Sequence, residues 1–200
     1  MFQHLSVVLL VCICIMANSV QASDQGPLVF KERCLVCHGP HGWGRAGGIP
    51  ALAGQHASVI IRQLENFFQG RRVSMTMAPI AEDLLTEHPQ WIKPLAQHIA
   101  SMPKNPRPQQ GRGDDLERGE DTYKLKCSGC HGAKAQGSGA AVIPALNGQH
   151  YDYILDQLNR FATRELTVKS REMMRRVRKL SHVERLALAD YLSRLPIDTE

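Results

Sequence analysis

Two hundred residues, 43% hydrophobic and 22% charged, describe a globular chain and exclude a disordered, collagen-like or multi-span membrane protein. Aromatics make up only 6%, thin material for a large core built from side chains alone. The net charge of +5 is a mild basic excess that does not point to a nucleic-acid partner.

The chain opens on an apolar run, LSVVLLVCICIMA at residues 5–17. A membrane span needs about 20 such residues, so this run is too short to be one. Small residues follow at Ser19 and Ala22, which predicts a signal peptide over residues 1–22, cleaved after Ala22. The positive residues usual before such a run are absent, so a retained anchor is the alternative. Cleavage would remove Cys12 and Cys14. The remaining cysteines, Cys34, Cys37, Cys127 and Cys130, all lie in CxxCH, leaving none for a structural disulfide in an exported protein.

The rest of the chain is a duplication. Gly26-x-x-x-Phe30-x-x-x-Cys34-x-x-Cys37-His38-Gly39 returns as Gly119-x-x-x-Tyr123-x-x-x-Cys127-x-x-Cys130-His131-Gly132, offset by 93. Pro50-Ala-Leu-Ala-Gly54-Gln55-His56 returns as Pro144-Ala-Leu-Asn-Gly148-Gln149-His150, offset by 94. Leu95-Ala96-Gln-His98-Ile99 returns as Leu188-Ala189-Asp-Tyr191-Leu192, offset by 93. Three prolines and two glycines between Met102 and Gly113 mark a linker. The expected boundaries are 23–102 for the first domain, 103–113 for the linker and 114–200 for the second domain.

Each unit reads as helices and loops. A short helix carries Gx₃[FY] into CxxCH, and a Gly-rich loop follows. Apolar residues at helical spacing predict helices over 58–69 and 151–163. A terminal amphipathic helix carries Trp91, Leu95 and Ile99 in one unit and Val183, Leu186, Ala187, Tyr191 and Leu195 in the other. The glycine of Gx₃[FY] lets that terminal helix approach closely, where Ala96 and Ala189 are also small.

CxxCH is the attachment pattern for c-type haem. Two thiols three positions apart can form thioethers to the two vinyl groups of one haem edge, and the following His38 or His131 then lies under the iron. A zinc site would close its two CxxC pairs within about 15–20 residues, whereas these are 93 apart. A thioredoxin-like motif needs a βαβ setting that is absent. Two haem c groups, one per unit, would also supply the core that a small aromatic-poor unit lacks.

Tandem Gx₃[FY]x₃CxxCHG units, each with a P-x-L-x-G-Q segment, resemble the dihaem cytochrome c4 family over nearly the whole mature chain. The haem subunit of flavocytochrome c sulfide dehydrogenase is similar in layout. The resemblance implies an all-α fold of two tandem class I cytochrome c domains with facing haem propionate edges. It implies Met sixth ligands between the middle and last helices. The frame shared by Met77-Ala-Pro-Ile80 and Met174-Arg-Arg-Val177 favours Met77 and Met174, with Met75 and Met173 as open alternatives. It also implies that the carbonyls of Pro50 and Pro144 accept hydrogen bonds from the proximal imidazoles. His56 and His150, matched across the repeat, are expected in a structural or surface role at the start of the next helix. His98 stands where the family places an aromatic.

Lys169, Arg171, Arg175, Arg176, Arg178 and Lys179 crowd eleven residues with one acid, Glu172. They read as a solvated face or as a docking patch for an acidic redox partner. The function expected is periplasmic single-electron transfer with no catalytic residue. Partners would be a terminal oxidase, a cytochrome bc1-type donor or a flavoprotein subunit, with membrane association through the partner. A dihaem enzyme is the contrasting reading, and it needs an iron position that is open or opens on activation.

Overall fold

The structure, a computed structural model, describes residues 25–163 and 171–197. The expected signal segment with Cys12 and Cys14, and Lys169 of the basic stretch, lie outside the described residues. The first half contains α1 (Gln25–Arg33), α2 (Leu35–His38), α3 (Ala57–Phe68), α4 (Met77–Glu82), a π-helical turn (Asp83–Glu87) and α5 (Pro89–Ser101). The second contains α6 (Leu116–Lys126), α7 (Ser128–His131), α8 (Tyr151–Thr163), α9 (Arg171–Val177) and α10 (His182–Ser193). Among the described residues the only β pairing is two isolated bridges, Arg45 with Ile49 and Ser138 with Ile143. The fold is all-α, and the repeat in the sequence is a repeat in space.

The change of offset from 93 to 94 falls inside those bridged loops. Arg45 to Ile49 spans one residue fewer than Ser138 to Ile143, and both loops end at the proline of PAL. The first loop turns on glycines, with Gly42 at φ 65° and Gly48 at φ 96°. At the matching positions the second has Ala135 at φ 56° and Val142 at φ 55°. A β-branched residue held there is strained, by about 1–2 kcal/mol.

Each half closes by crossing its first and last helices. A Cβ on Gly26 would lie 2.5 Å from the Pro94 carbonyl oxygen, and one on Gly119 would lie 2.2 Å from that of Ala187. The helices therefore touch backbone to backbone, with Ala96 and Ala189 fully buried alongside. One turn on, Phe30 meets His98 edge-to-face at 5.7 Å and Tyr123 meets Tyr191 at 5.9 Å. His98 thus fills the aromatic position of its half. Val29, Leu64, Phe67, Leu84, Leu95 and Ile99 build the first core, and Tyr123, Ile154, Leu158, Leu188 and Leu192 the second. A complete capping box, Ser181 with Glu184, starts α10.

The halves meet through their repeated Gly-Gln-His segments. Gln55 Nε2 donates to the Ala145 carbonyl at 3.0 Å, and Gln55 Oε1 accepts from the Ala145 N–H at 3.0 Å. Gln149 grips Ala51 in the same way, both bonds at 2.9 Å. His56 Nε2 pairs with the Gln136 carbonyl at 2.8 Å and His150 Nε2 with the Trp43 carbonyl at 2.7 Å. The offset of 93 makes Trp43 and Gln136 equivalent, so each of these glutamine and histidine contacts has its mirror. The two histidines begin α3 and α8 as expected, but their rings bind the opposite half. The linker is tied down too: Gln109 donates its N–H to His150 Nδ1 at 2.9 Å and accepts from the Tyr151 N–H at 2.8 Å.

The helix crossing yields a test. Gly119→Ala gains about 1 kcal/mol of helix propensity but forces a methyl into a backbone oxygen that cannot swing aside, a clash at the upper end of about 1–3 kcal/mol or beyond, for a net loss of about 1–2 kcal/mol or more. The thermal midpoint of the second half should fall by at least about 4 °C, on the scaling of about 4–8 °C per kcal/mol for a unit this size. An unchanged or raised midpoint, followed by tyrosine circular dichroism, would disprove the close crossing.

Candidate haem sites

A single cavity of about 520 Å³ runs through both halves. Its walls are largely apolar: Leu52, Ile60, Leu64, Phe67, Leu84 and Leu95 in the first half, and Leu146, Ile154, Leu158, Phe161, Leu180 and Leu188 in the second. Among the residues singled out from sequence, Cys34, His38, Pro50 and Met77 line it on one side, and Cys127, Cys130, His131 and Pro144 on the other.

Local folding explains the clustering. The chain leaves α1 through Cys34, whose carbonyl accepts the N–H groups of both Cys37 and His38. This one tight turn holds the two thiols and the imidazole together. Gly39 then turns at φ 75°, and Gly132 repeats it at φ 85°. The loop returns so that His38 Nδ1 lies 3.0 Å from the Pro50 carbonyl and His131 Nδ1 lies 3.0 Å from that of Pro144. A carbonyl only accepts, so each Nδ1 carries the proton and each Nε2 keeps its lone pair. The rings are 5% and 6% exposed. Burial lowers both imidazole pKa values and so favours the neutral form a metal needs, against a smaller upward push from the proline carbonyl.

All four described cysteines are free thiols. Burial pushes Cys34 up to about 12, against the pull of Arg33 and with a smaller upward push from Cys37. It pushes Cys127 up to about 11, against Arg176 and Lys126.

The methionines separate clearly. Met77 opens α4 on the cavity wall, its N–H capped by Ser74 Oγ at 3.1 Å, while Met75 is 91% exposed. In the second half Met173 lines the cavity and packs against that core, and Met174 is not on the wall. The methionine on the wall of the second half is therefore the one just before the M-x-x-[IV] frame. The second half carries extra residues ahead of α9, and the helix turns to bury Val177 and Leu180.

Sequence reasoning missed Arg72. It is 9% exposed and lines the cavity. Its guanidinium donates to Gln63 Oε1 at 2.9 Å and to the Tyr153 hydroxyl across the interface, and lies 4.6 Å over the Phe67 ring. Its Nε is buried with no acceptor, and no carboxylate among the described residues pairs with it. A second arginine beside Arg71 reads as surface charge, so nothing in the sequence marks it for burial.

The basic stretch is less bare than its composition suggests. Glu172 accepts from Arg175 at 2.7 Å and from Arg176 at 2.6 Å, and these bonds hold its carboxyl at about 2. Glu172 and Arg176 reach the cavity edge, while Arg171, Arg178 and Lys179 are exposed.

Known proteins share this arrangement. The cytochrome c family pattern matches residues 23–91 and again 116–196. A cytochrome c4 of Thiocapsa roseopersicina is 36% identical over 174 residues, covering 81% of this chain and 86% of that one. A thiosulfate dehydrogenase electron acceptor of Stutzerimonas stutzeri is 33% identical over 173 residues, covering 80% and 77%. The crystal structure of reduced recombinant cytochrome c4 from Pseudomonas stutzeri superposes with a TM-score of 0.75 at 26% identity, covering 88% of this chain and 98% of that one. With its two CxxCH turns, its two buried imidazoles and these likenesses over most of its length, the chain belongs to the cytochrome c family, as a two-domain electron-transfer member of the cytochrome c4 type carrying one covalent haem c in each domain.

Proposed function

We propose that Cys34, Cys37, Cys127 and Cys130 carry the thioether links, that His38 and His131 are the proximal ligands, and that Met77 and Met173 complete the two irons. What supports this above all is that, Cys37 apart, each set lines the same cavity, with both imidazoles already turned Nε2-free by a proline carbonyl. Arg72 supports it independently. A buried cation with an orphaned Nε suits a group that is flat and apolar over most of its surface but acidic at one edge. Bound haem c supplies a reversible one-electron iron couple. The chain's own part is to fix imidazole tautomer and orientation, to keep water from the distal face with Leu and Phe side chains, and to offer a soft thioether, which favours a high potential.

A methionine on each cavity wall favours a carrier over a dihaem enzyme, since both iron positions would be filled. We read the protein as an exported, periplasmic carrier whose leader is removed after Ala22, with units near 23–102 and 114–200. Among the described residues no helix is long and apolar enough to cross a membrane. The 33% likeness to a thiosulfate dehydrogenase electron acceptor favours a sulfur-compound dehydrogenase as donor. A flavoprotein subunit, a cytochrome bc1-type donor and a terminal oxidase as acceptor fit the same chemistry. Arg171, Arg178 and Lys179, exposed beyond the Glu172 pairs, would steer an acidic partner toward the second haem.

Intact mass of periplasmic protein should show loss of residues 1–22 and two haems that survive denaturation, with Cys34→Ala or Cys127→Ala removing one. A single haem in the parent would sink the assignment.

Met77→Ala and Met173→Ala should each halve the weak long-wavelength sulfur-to-iron band, and Met174→Ala should leave it intact. The opposite outcome for the last two would return the ligand to Met174.

Oxidation by hexacyanoferrate, an anionic probe, should slow with ionic strength, since steering raises such rates by about 10- to 1,000-fold and salt screens it. Changing Arg171, Arg178 and Lys179 to Gln should flatten that slope more than changing Lys31, Arg45 and Lys93. Equal slopes for the two triple variants would place docking elsewhere.

A further inference from the structure

Two residues of the repeated Gly-Gln-His segment have no part in the assignment above, yet they touch the machinery of the other half. The peptide unit joining Pro50 to Ala51 is bonded on both edges. Its C=O accepts from His38 Nδ1 at 3.0 Å, and its N–H donates to Gln149 Oε1 at 2.9 Å. The unit joining Pro144 to Ala145 is bonded in the same way, to His131 Nδ1 at 3.0 Å and to Gln55 Oε1 at 3.0 Å. Each chain of bonds therefore runs from an imidazole N–H, through one conjugated amide, to a glutamine of the opposite half.

The glutamines are held rigidly. Each Nε2 donates back to the carbonyl of the alanine it grips, at 2.9 Å for Gln149 and 3.0 Å for Gln55. Each Oε1 also accepts the N–H of the following histidine, His150 or His56, at 3.0 Å. Three bonds to one side-chain amide fix where its oxygen sits.

An amide whose N–H is engaged has a more polarised C=O and is a better acceptor, a cooperative gain of about 10–30% per bond. A better acceptor at Nδ1 makes the imidazole a more basic ligand and favours the oxidised iron. We infer that Gln149 is a positioning residue for His38, and Gln55 for His131, each acting from the other half of the molecule. The inference rests on reading the two histidines as proximal ligands. It assigns the interface a second task besides adhesion: each half adjusts the other's iron ligand.

The test compares Gln149→Leu and Gln55→Leu in the full-length protein, after mass spectrometry shows two haems in each. The readouts are the Nδ1–H resonance of each histidine, its exchange with deuterium, and the two reduction potentials. Gln149→Leu should shift the His38 resonance and speed its exchange by up to about 2-fold, the equivalent of about 10–30% of one net hydrogen bond. The potential of the first haem should rise, and His131 with the second haem should stay as in the parent. Gln55→Leu should do the reverse. Gln149→Asn and Gln55→Asn, which stay polar but fall one methylene short, should give the same crossed pattern and serve where a leucine variant fails to fold. A response at the variant's own half, an equal response at both, or none would overturn the inference. A parent protein with fewer than two haems, or whose two histidines are not iron ligands, would instead overturn the assignment on which it rests.

Discussion

Each half of this chain is too small and too poor in aromatic residues to fill its own interior. That shortage governs the rest of the architecture. The helices pack where glycine lets them, at Gly26 against Pro94 and at Gly119 against Ala187, and spread apart elsewhere around a shared hollow. Leucine, isoleucine and phenylalanine line that hollow without closing it. The polar groups on its wall include two imidazoles, the thiols of Cys34, Cys127 and Cys130, and the buried Arg72. A covalent macrocycle stands where a larger protein would have core side chains, and on the proposed assignment one turn of chain per half, from the first cysteine to the histidine, would deliver the thioether links and the proximal ligand.

Much of this was legible in the residues because duplication doubles every signal. A pattern seen twice at the same offset is hard to mistake, and it located the long helices and the Gly–Ala crossing. What was not legible follows from physics beyond local spacing. Which of Met173 and Met174 lines the cavity depends on which face of α9 meets the core, and that follows from the burial of Val177 and Leu180 in tertiary packing. Arg72 is buried because a tyrosine of the other half, a glutamine on α3 and the Phe67 ring surround it, and none of these is its neighbour in sequence. The interface lay in plain view, since Gly-Gln-His recurs, but a motif states that a residue type is needed without stating what it touches.

Exact repetition also makes the departures informative. The second bridged loop carries one more residue than the first and holds Val142 in a left-handed backbone that glycine occupies in the other copy. The pairing of Arg72 with Tyr153 has no mirror image among the described contacts. Two sites that share one plan are thereby placed in different electrostatic surroundings, which would let two irons differ in potential even with matching ligands.

The reciprocal glutamine grip has a consequence for the history of the chain. A surface on which Gln55 meets Ala145 while Gln149 meets Ala51 is the geometry that two identical subunits form about a two-fold axis. A free single-unit protein bearing this segment would have paired with itself only at sufficient concentration. Joining the copies through a short linker replaced that dependence with an effective local concentration on the millimolar scale. It also released the copies from identity: a change that once struck both sides of the axis together now strikes one, and asymmetry between the two halves can accumulate without loss of the pairing that holds them.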